Sequence, residues 1–169
     1  PTDFASAERV SPEEIASEAA ALSSQPLLKL LIDSIPDILL ILNRCRQIVF
    51  MNRKTIEILE IPVPEELYGQ RPGELFGCAH SGDNEGGCGT GKFCGFCGSV
   101  KAVLNAISGI EDVQECQMAR LDGTSLDLRV WAKPVELGGK SYVIFVARDI
   151  SDEKRRSVLE RIFFHDILN

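Results

Sequence analysis

Five apolar segments of strand length, helical spacing at both ends of the chain, and glycine turns joining the last three segments predict an α+β fold. The expected architecture is a five-stranded antiparallel sheet with helices on one face, flanked by an N-terminal and a C-terminal helix. Residues 11–23 read as a helix because Ser11 can cap it, Pro12 suits the first turn and Glu14 completes a capping box. A second helix over 26–34 carries Leu27, Leu28, Leu30, Leu31 and Ile32, and Pro36-Asp37 ends it. The period then changes. Residues 38–42 form a continuous apolar run, Asn43-Arg44 a turn and 47–51 a second strand, together a hairpin.

Asn52 is placed to cap a helix over 53–60, with Ile56 and Leu59 facing inward. Pro62 and Pro64 break it, and 65–76 is a short helical or irregular passage. An amphipathic helix over 100–107 stops at Gly109. Strands over 113–121, 125–137 and 141–147 follow, joined at Asp122-Gly123 and Gly138-Gly139. From Ser151 onward Val158, Leu159, Ile162 and Phe163 recur at three-four spacing, which predicts an exit helix.

Composition narrows the functional classes. A chain of 169 residues with 44% hydrophobic and 25% charged residues is long enough for one sizeable core. No apolar run reaches the length of a membrane span, and the opening Pro-Thr-Asp-Phe is neither basic nor apolar as a signal peptide is. The expectation is therefore a cytoplasmic protein. A net charge of −7 argues against a nucleic-acid partner, which demands a basic footprint.

Chemistry concentrates in residues 77–98. Cys78, Cys88, Cys94 and Cys97 are spaced C-x9-C-x5-C-x2-C within a glycine-rich stretch. Thiolates are preferred ligands of zinc and of iron–sulfur clusters, and glycine permits the backbone angles that a loop wrapped round a metal requires. Three readings follow: an iron–sulfur cluster of unspecified type, a structural zinc, or a thiol–disulfide switch closed between Cys94 and Cys97. His80 is a further candidate ligand in place of one thiolate. Cys45 and Cys116 fall among apolar neighbours and read as buried sheet thiols. Gly86–Lys92 matches G-x-x-x-x-G-K, but Phe93 stands where a phosphate-binding loop needs Ser or Thr.

Several strings resemble the PAS sensor family. Residues 30–43 are similar to that family's opening helix and first strand, and Ile48-Val-Phe-Met-Asn-Arg53 to its second strand and following asparagine. Asp149-Ile150-Ser151 resembles the Asp-Ile-Thr junction at which such domains hand over to a signalling helix. The resemblance implies an N-terminal helix and linker over 1–25, a PAS domain over 26–150 and a signalling helix over 151–169. An ordinary PAS domain has no such cysteine insertion, whereas some PAS sensors of bacterial kinases carry cysteine-ligated clusters.

Arg161-Ile-Phe-Phe-His165-Asp166 resembles the start of a histidine kinase phosphoacceptor box. That resemblance implies His165 as nucleophile toward ATP and Asp166 as the assisting acid or base. It also implies, as partners in the full-length protein, a kinase ATP-binding domain and a response regulator. The segment itself is not expected to be catalytic alone. Apolar stripes on the terminal helices predict a homodimer. The alternative is a structural-zinc or thiol–disulfide domain serving as a dimerisation or interaction module.

Overall fold

The computed structural model describes residues 2–168, and the side chains of Asp166 and Leu168 lie outside the described residues. Helices α1 (Pro12–Ser23) and α2 (Pro26–Asp33) lead into strands β1 (Ile38–Leu42) and β2 (Ile48–Met51). Helices α3 (Arg53–Ile58) and α4 (Pro72–Leu75) follow, with short 3-10 turns at Pro64–Leu67, Ala79–Gly82 and Lys92–Phe96. Helix α5 (Gly98–Ile107) precedes strands β3 (Asp112–Ala119), β4 (Ser125–Leu137) and β5 (Lys140–Asp149), and α6 (Ser151–Leu168) leaves the domain. The strands form one antiparallel sheet in the order β2-β1-β5-β4-β3.

Residue alternation explains where the core sits. Leu40, Leu42, Cys116, Leu128, Val130, Phe145 and Ala147 face α5, whose Ala102, Val103 and Ala106 are small enough for the helix to lie close to the sheet. Leu39, Ile41, Val49 and Phe50 point the other way, toward Ile15 and Leu22 of the flanking α1 and Ile32 of α2. β1 is thus covered on both sides, which is why it is apolar at every position rather than alternating.

Two polar side chains fix the corners. Asn52 is fully buried; its Oδ1 accepts the N–H groups of Thr55 (3.0 Å) and Leu39 (3.2 Å), and its amide donates to the carbonyl oxygens of Ile35 and Asp37. One residue thereby caps α3 and ties the end of α2 to β1. Asn43 Oδ1 accepts from the N–H groups of Cys45 and Gln47, both at 3.0 Å.

That second set of bonds corrects the expected hairpin. The turn is wider than Asn43-Arg44, Arg46 takes a positive φ of 64°, and β2 begins at Ile48. Asparagine bonding to its own downstream backbone outcompetes the tight turn. Cys45 is buried as expected but lies in this loop rather than in a strand. β3 ends at Ala119, two residues early, because Arg120 and Leu121 turn to pair with Thr124 and Gly77.

Candidate functional site

Loop 77–98 is stitched to the sheet at its start and clamped at its far side by the chain's N-terminal segment. Leu121 N–H donates to the Gly77 carbonyl at 2.9 Å, Arg120 Nε to the Phe76 carbonyl at 3.0 Å, and Cys78 forms an antiparallel bridge with Arg120. On the far side Asp3 N–H bonds the Thr90 carbonyl and Ala5 N–H that of Gly89 (2.9 and 3.0 Å).

Arg71 knits these pieces together from inside. It is completely buried. Its Nε donates to the Cys45 carbonyl, Nη1 to those of Gly86 and Cys88, and Nη2 to those of Ser6 and Glu8, at 2.8 to 3.3 Å. Burial, followed by the neighbouring charges of Arg46 and Arg9, pushes its pKa down to about 10, so it stays cationic at neutral pH. Nothing in the local sequence marks this arginine as different from the others, since its acceptors come from three separate segments.

The loop wraps one side of a cavity of about 290 Å³. Cys78, Cys88, Cys94 and Cys97 all line it, so the four cysteines singled out by spacing share one space. So does a fifth, Cys116 on β3. All six cysteines are free thiols. Among the described residues, no three His, Cys, Asp or Glu side chains converge tightly enough to hold one metal ion.

Two glycines set the thiols in place by close approach. A Cβ on Gly73 would lie 2.6 Å from Cys88 Sγ, and one on Gly98 would lie 2.1 Å from the Glu115 carbonyl oxygen. Gly98 thus lets the first turn of α5 rest on the backbone of β3, which carries Cys97 to within 3.5 Å of Cys116, sulfur to sulfur. Cys116 was legible as a buried strand residue. Its membership of the site was not, because the register Cys116↔Leu128 and the seating of α5 decide it.

The thiols are electrostatically unequal. The contact with Cys116 draws the Cys97 thiol below its ordinary range, and the backbone N–H groups of Ser99 and Val100 at the start of α5 and the charge of Lys101 act the same way. Cys116 moves up, through its hydrogen bond with Cys97 and through burial. Burial raises Cys78 and pushes Cys88 up to about 12.

His80 lines the same cavity, stacks on Phe93 at 4.6 Å and bonds Asp83 Oδ2 through Nδ1 at 2.8 Å. A carboxylate on one imidazole nitrogen is the usual way to orient the other toward a metal. The glycine–lysine match at 86–92 is a plain turn of the cysteine loop, partly pinned by Arg71, with no strand before it. His165 is exposed on α6, and the Asp166 side chain lies outside the described residues.

The donor set fits a thiophilic centre. It comprises five thiols around one cavity, a pair of backbone N–H groups aimed at Cys97, and the buried cations Arg46 and Arg71 beneath Cys88. A tetrahedral zinc with bonds of about 2.3 Å needs its sulfurs roughly 3.8 Å apart. A cluster spreads its thiolates over several irons and so does not require them to meet at one point.

Beyond the cavity, β3 connects to the exit helix through charge. Arg129 on β4 joins Glu115 (3.2 Å) to Glu153 (3.3 Å), and Lys154 joins Glu115 (3.3 Å) to Asp127 (2.9 Å). Asp149 caps α6 by accepting the Ser151 N–H at 2.8 Å.

The family model of the PAS fold matches residues 27–150, and the chain belongs to that family. Among solved structures it is similar to the PAS domain of BvgS from Bordetella pertussis, at 14% identity and a TM-score of 0.51 over 86% of this chain and 96% of that one. It is also similar to an RNA-binding light-oxygen-voltage receptor, at 18% identity and 0.55, covering 85% of this chain but only 37% of that one. A third likeness is the PAS domain of an HTR-like protein from Haloarcula marismortui, at 19% identity and 0.49, over 76% of this chain and 98% of that one. At these identities the first two likenesses show the fold alone. No curated protein matches the chain. Among the described residues no helix is long and apolar enough to cross a membrane.

Proposed function

We propose that this is the cytoplasmic sensory domain of a histidine kinase, holding an iron–sulfur cluster through Cys78, Cys88, Cys94 and Cys97 and relaying redox or oxygen state through α6 toward His165. The observation that carries the reading is that all four loop thiols line one cavity between the loop, α5 and β3. When bound, a cluster would supply a one-electron couple and sensitivity to oxygen.

The chain's own residues do the rest. Arg46 and Arg71 set positive charge near Cys88, and the Ser99 and Val100 N–H groups stabilise negative charge on Cys97. Gly98 couples α5 to β3 with no side chain between them, so a displacement of Cys97 bears directly on the Glu115 backbone. Glu115 then bears on the first turn of α6, through Lys154 directly and through Arg129 to Glu153. A kinase ATP-binding domain and a response regulator would be the partners, with His165 as phosphoacceptor and Asp166 as its assisting acid or base. Leu27, Leu30 and Leu31 of α2 and Leu159, Ile162 and Phe163 of α6 are exposed, which supports pairing of two copies through the terminal helices.

The test is anaerobic purification with a visible spectrum and analysis for iron, acid-labile sulfide and zinc. Brown protein whose iron and sulfide are lost in the Cys94→Ser, Cys97→Ser variant is the expected result. Colourless protein with one zinc per chain would refute the cluster and leave a structural staple in an interaction module.

A further inference from the structure

We propose that Cys97 and Cys116 form a metal-independent redox site, in which a hydroperoxide converts the two thiols to a disulfide that joins the start of α5 to β3. Their sulfurs are in contact at 3.5 Å, and the arrangement is imposed from both sides. Gly98 seats the helix on the β3 backbone, and the β3–β4 register turns Cys116 inward opposite Leu128. The pair differs from the Cys94–Cys97 closure that the C-x2-C spacing alone would favour. Bond formation requires the sulfurs to approach to about 2.05 Å, a closure of roughly 1.5 Å.

Access orders the chemistry. Cys97 is half-buried and lines the cavity, whereas Cys116 is only 4% exposed, so a peroxide meets Cys97 first. The Cys97 thiolate attacks the O–O bond and takes one oxygen as sulfenic acid, and the departing alkoxide or hydroxide leaves protonated as alcohol or water. The Cys116 sulfur then attacks Cys97 Sγ. The S–S bond forms, the S–O bond breaks, and hydroxide leaves as water with the Cys116 proton. In total two thiols lose two electrons and one hydroperoxide gains them.

The product differs from any metal-bound state. Cys97 is withdrawn from the ligand set, and the crosslink sits beside Glu115, which pairs with Lys154 of α6 directly and reaches Glu153 of α6 through Arg129. The proposal shares Cys97 with the cluster reading but does not need a metal.

The full 169-residue chain, as isolated, is treated with increasing hydrogen peroxide and mapped by mass spectrometry of non-reduced peptides. Any iron released is followed in parallel with a chromogenic chelator. The expected product is a Cys97–Cys116 crosslink, lighter than the two thiols by two hydrogens and reversed by dithiothreitol, whether or not the starting protein carries iron. Cys116→Ser and Cys116→Ala should abolish it and leave Cys97 oxidised to sulfinic acid. A wild-type product crosslinked at Cys94–Cys97, one in which Cys97 is over-oxidised, or no crosslink at all overturns the proposal. Anaerobically purified protein that carries no iron yet forms the Cys97–Cys116 bond sinks the cluster reading alone, and iron-bearing protein that fails to form it sinks only the disulfide.

Discussion

Replacing Arg71 by lysine should cost far more than so conservative a change suggests, because the guanidinium offers five N–H donors to five carbonyl oxygens in a fully buried position. Lysine keeps the charge but has three donors and no planar fork. At least two carbonyls lose their partner, and an unsatisfied buried acceptor costs about 1–3 kcal/mol. Some recovery follows where water reaches Ser6 and Glu8, both exposed residues. The expected loss is about 2–4 kcal/mol, or roughly 5–15 °C in Tm for a domain of this size.

The location of the effect is as diagnostic as its size. Four of the five acceptors belong to the N-terminal segment and the cysteine loop, so opening should begin there and leave the sheet closed. Urea unfolding gives the global term, and hydrogen exchange at the Asp3 and Ala5 amides, which bond Thr90 and Gly89, gives the local one. Arg129→Lys, on the solvent side of the sheet, is the control and should change stability by less than about 1 kcal/mol. If Arg71→Lys unfolds within about 0.5 kcal/mol of wild type and the two amides exchange unchanged, the reasoning from donor count is wrong.

Two further outcomes follow from the same geometry. Burial acts to raise the Glu74 carboxyl, but hydrogen bonds from Arg9 and from the Arg71 and Cys88 N–H groups outweigh it and hold the pKa below the ordinary glutamate range. Its contribution to stability is therefore complete above about pH 4.3 and is lost as pH falls through the lower folded value. The stability gap between wild type and Glu74→Gln should narrow below that pH in urea titrations, and a gap constant from pH 7 to pH 3 would contradict it. Gly98→Ala should cost about 1–3 kcal/mol, because the added Cβ meets a backbone oxygen that cannot rotate away. The variant should also lose peroxide crosslinking of Cys97 to Cys116.

Local chemistry made most of the scaffold readable. The unbroken Ile38–Leu42 run, Ser11 and Asn52 as caps, and the Asp122-Gly123 and Gly138-Gly139 turns each act within a few residues, and all appear where the sequence puts them. The four loop cysteines were equally legible, because their spacing and glycine content are local properties. Cys116 and Arg71 were not. One depends on how α5 seats against β3, and the other on carbonyls contributed by residues 6–8, 45 and 86–88. The β1–β2 hairpin formed as read, and only its turn came out wider, since Asn43 turns the chain with its own side chain.

The N-terminal clamp also bears on how the domain can be excised. The family match begins at residue 27, yet Asp3, Ala5, Ser6, Glu8 and Arg9 close the outer wall of the cysteine loop through Thr90, Gly89, Arg71 and Glu74. A graft of residues 27–150 onto another signalling protein would carry every candidate ligand and the whole sheet. It would also strand two donors of Arg71 and leave the loop's rim without a lid. A transplant of the sensing property therefore has to begin near residue 2, well ahead of the border that homology draws.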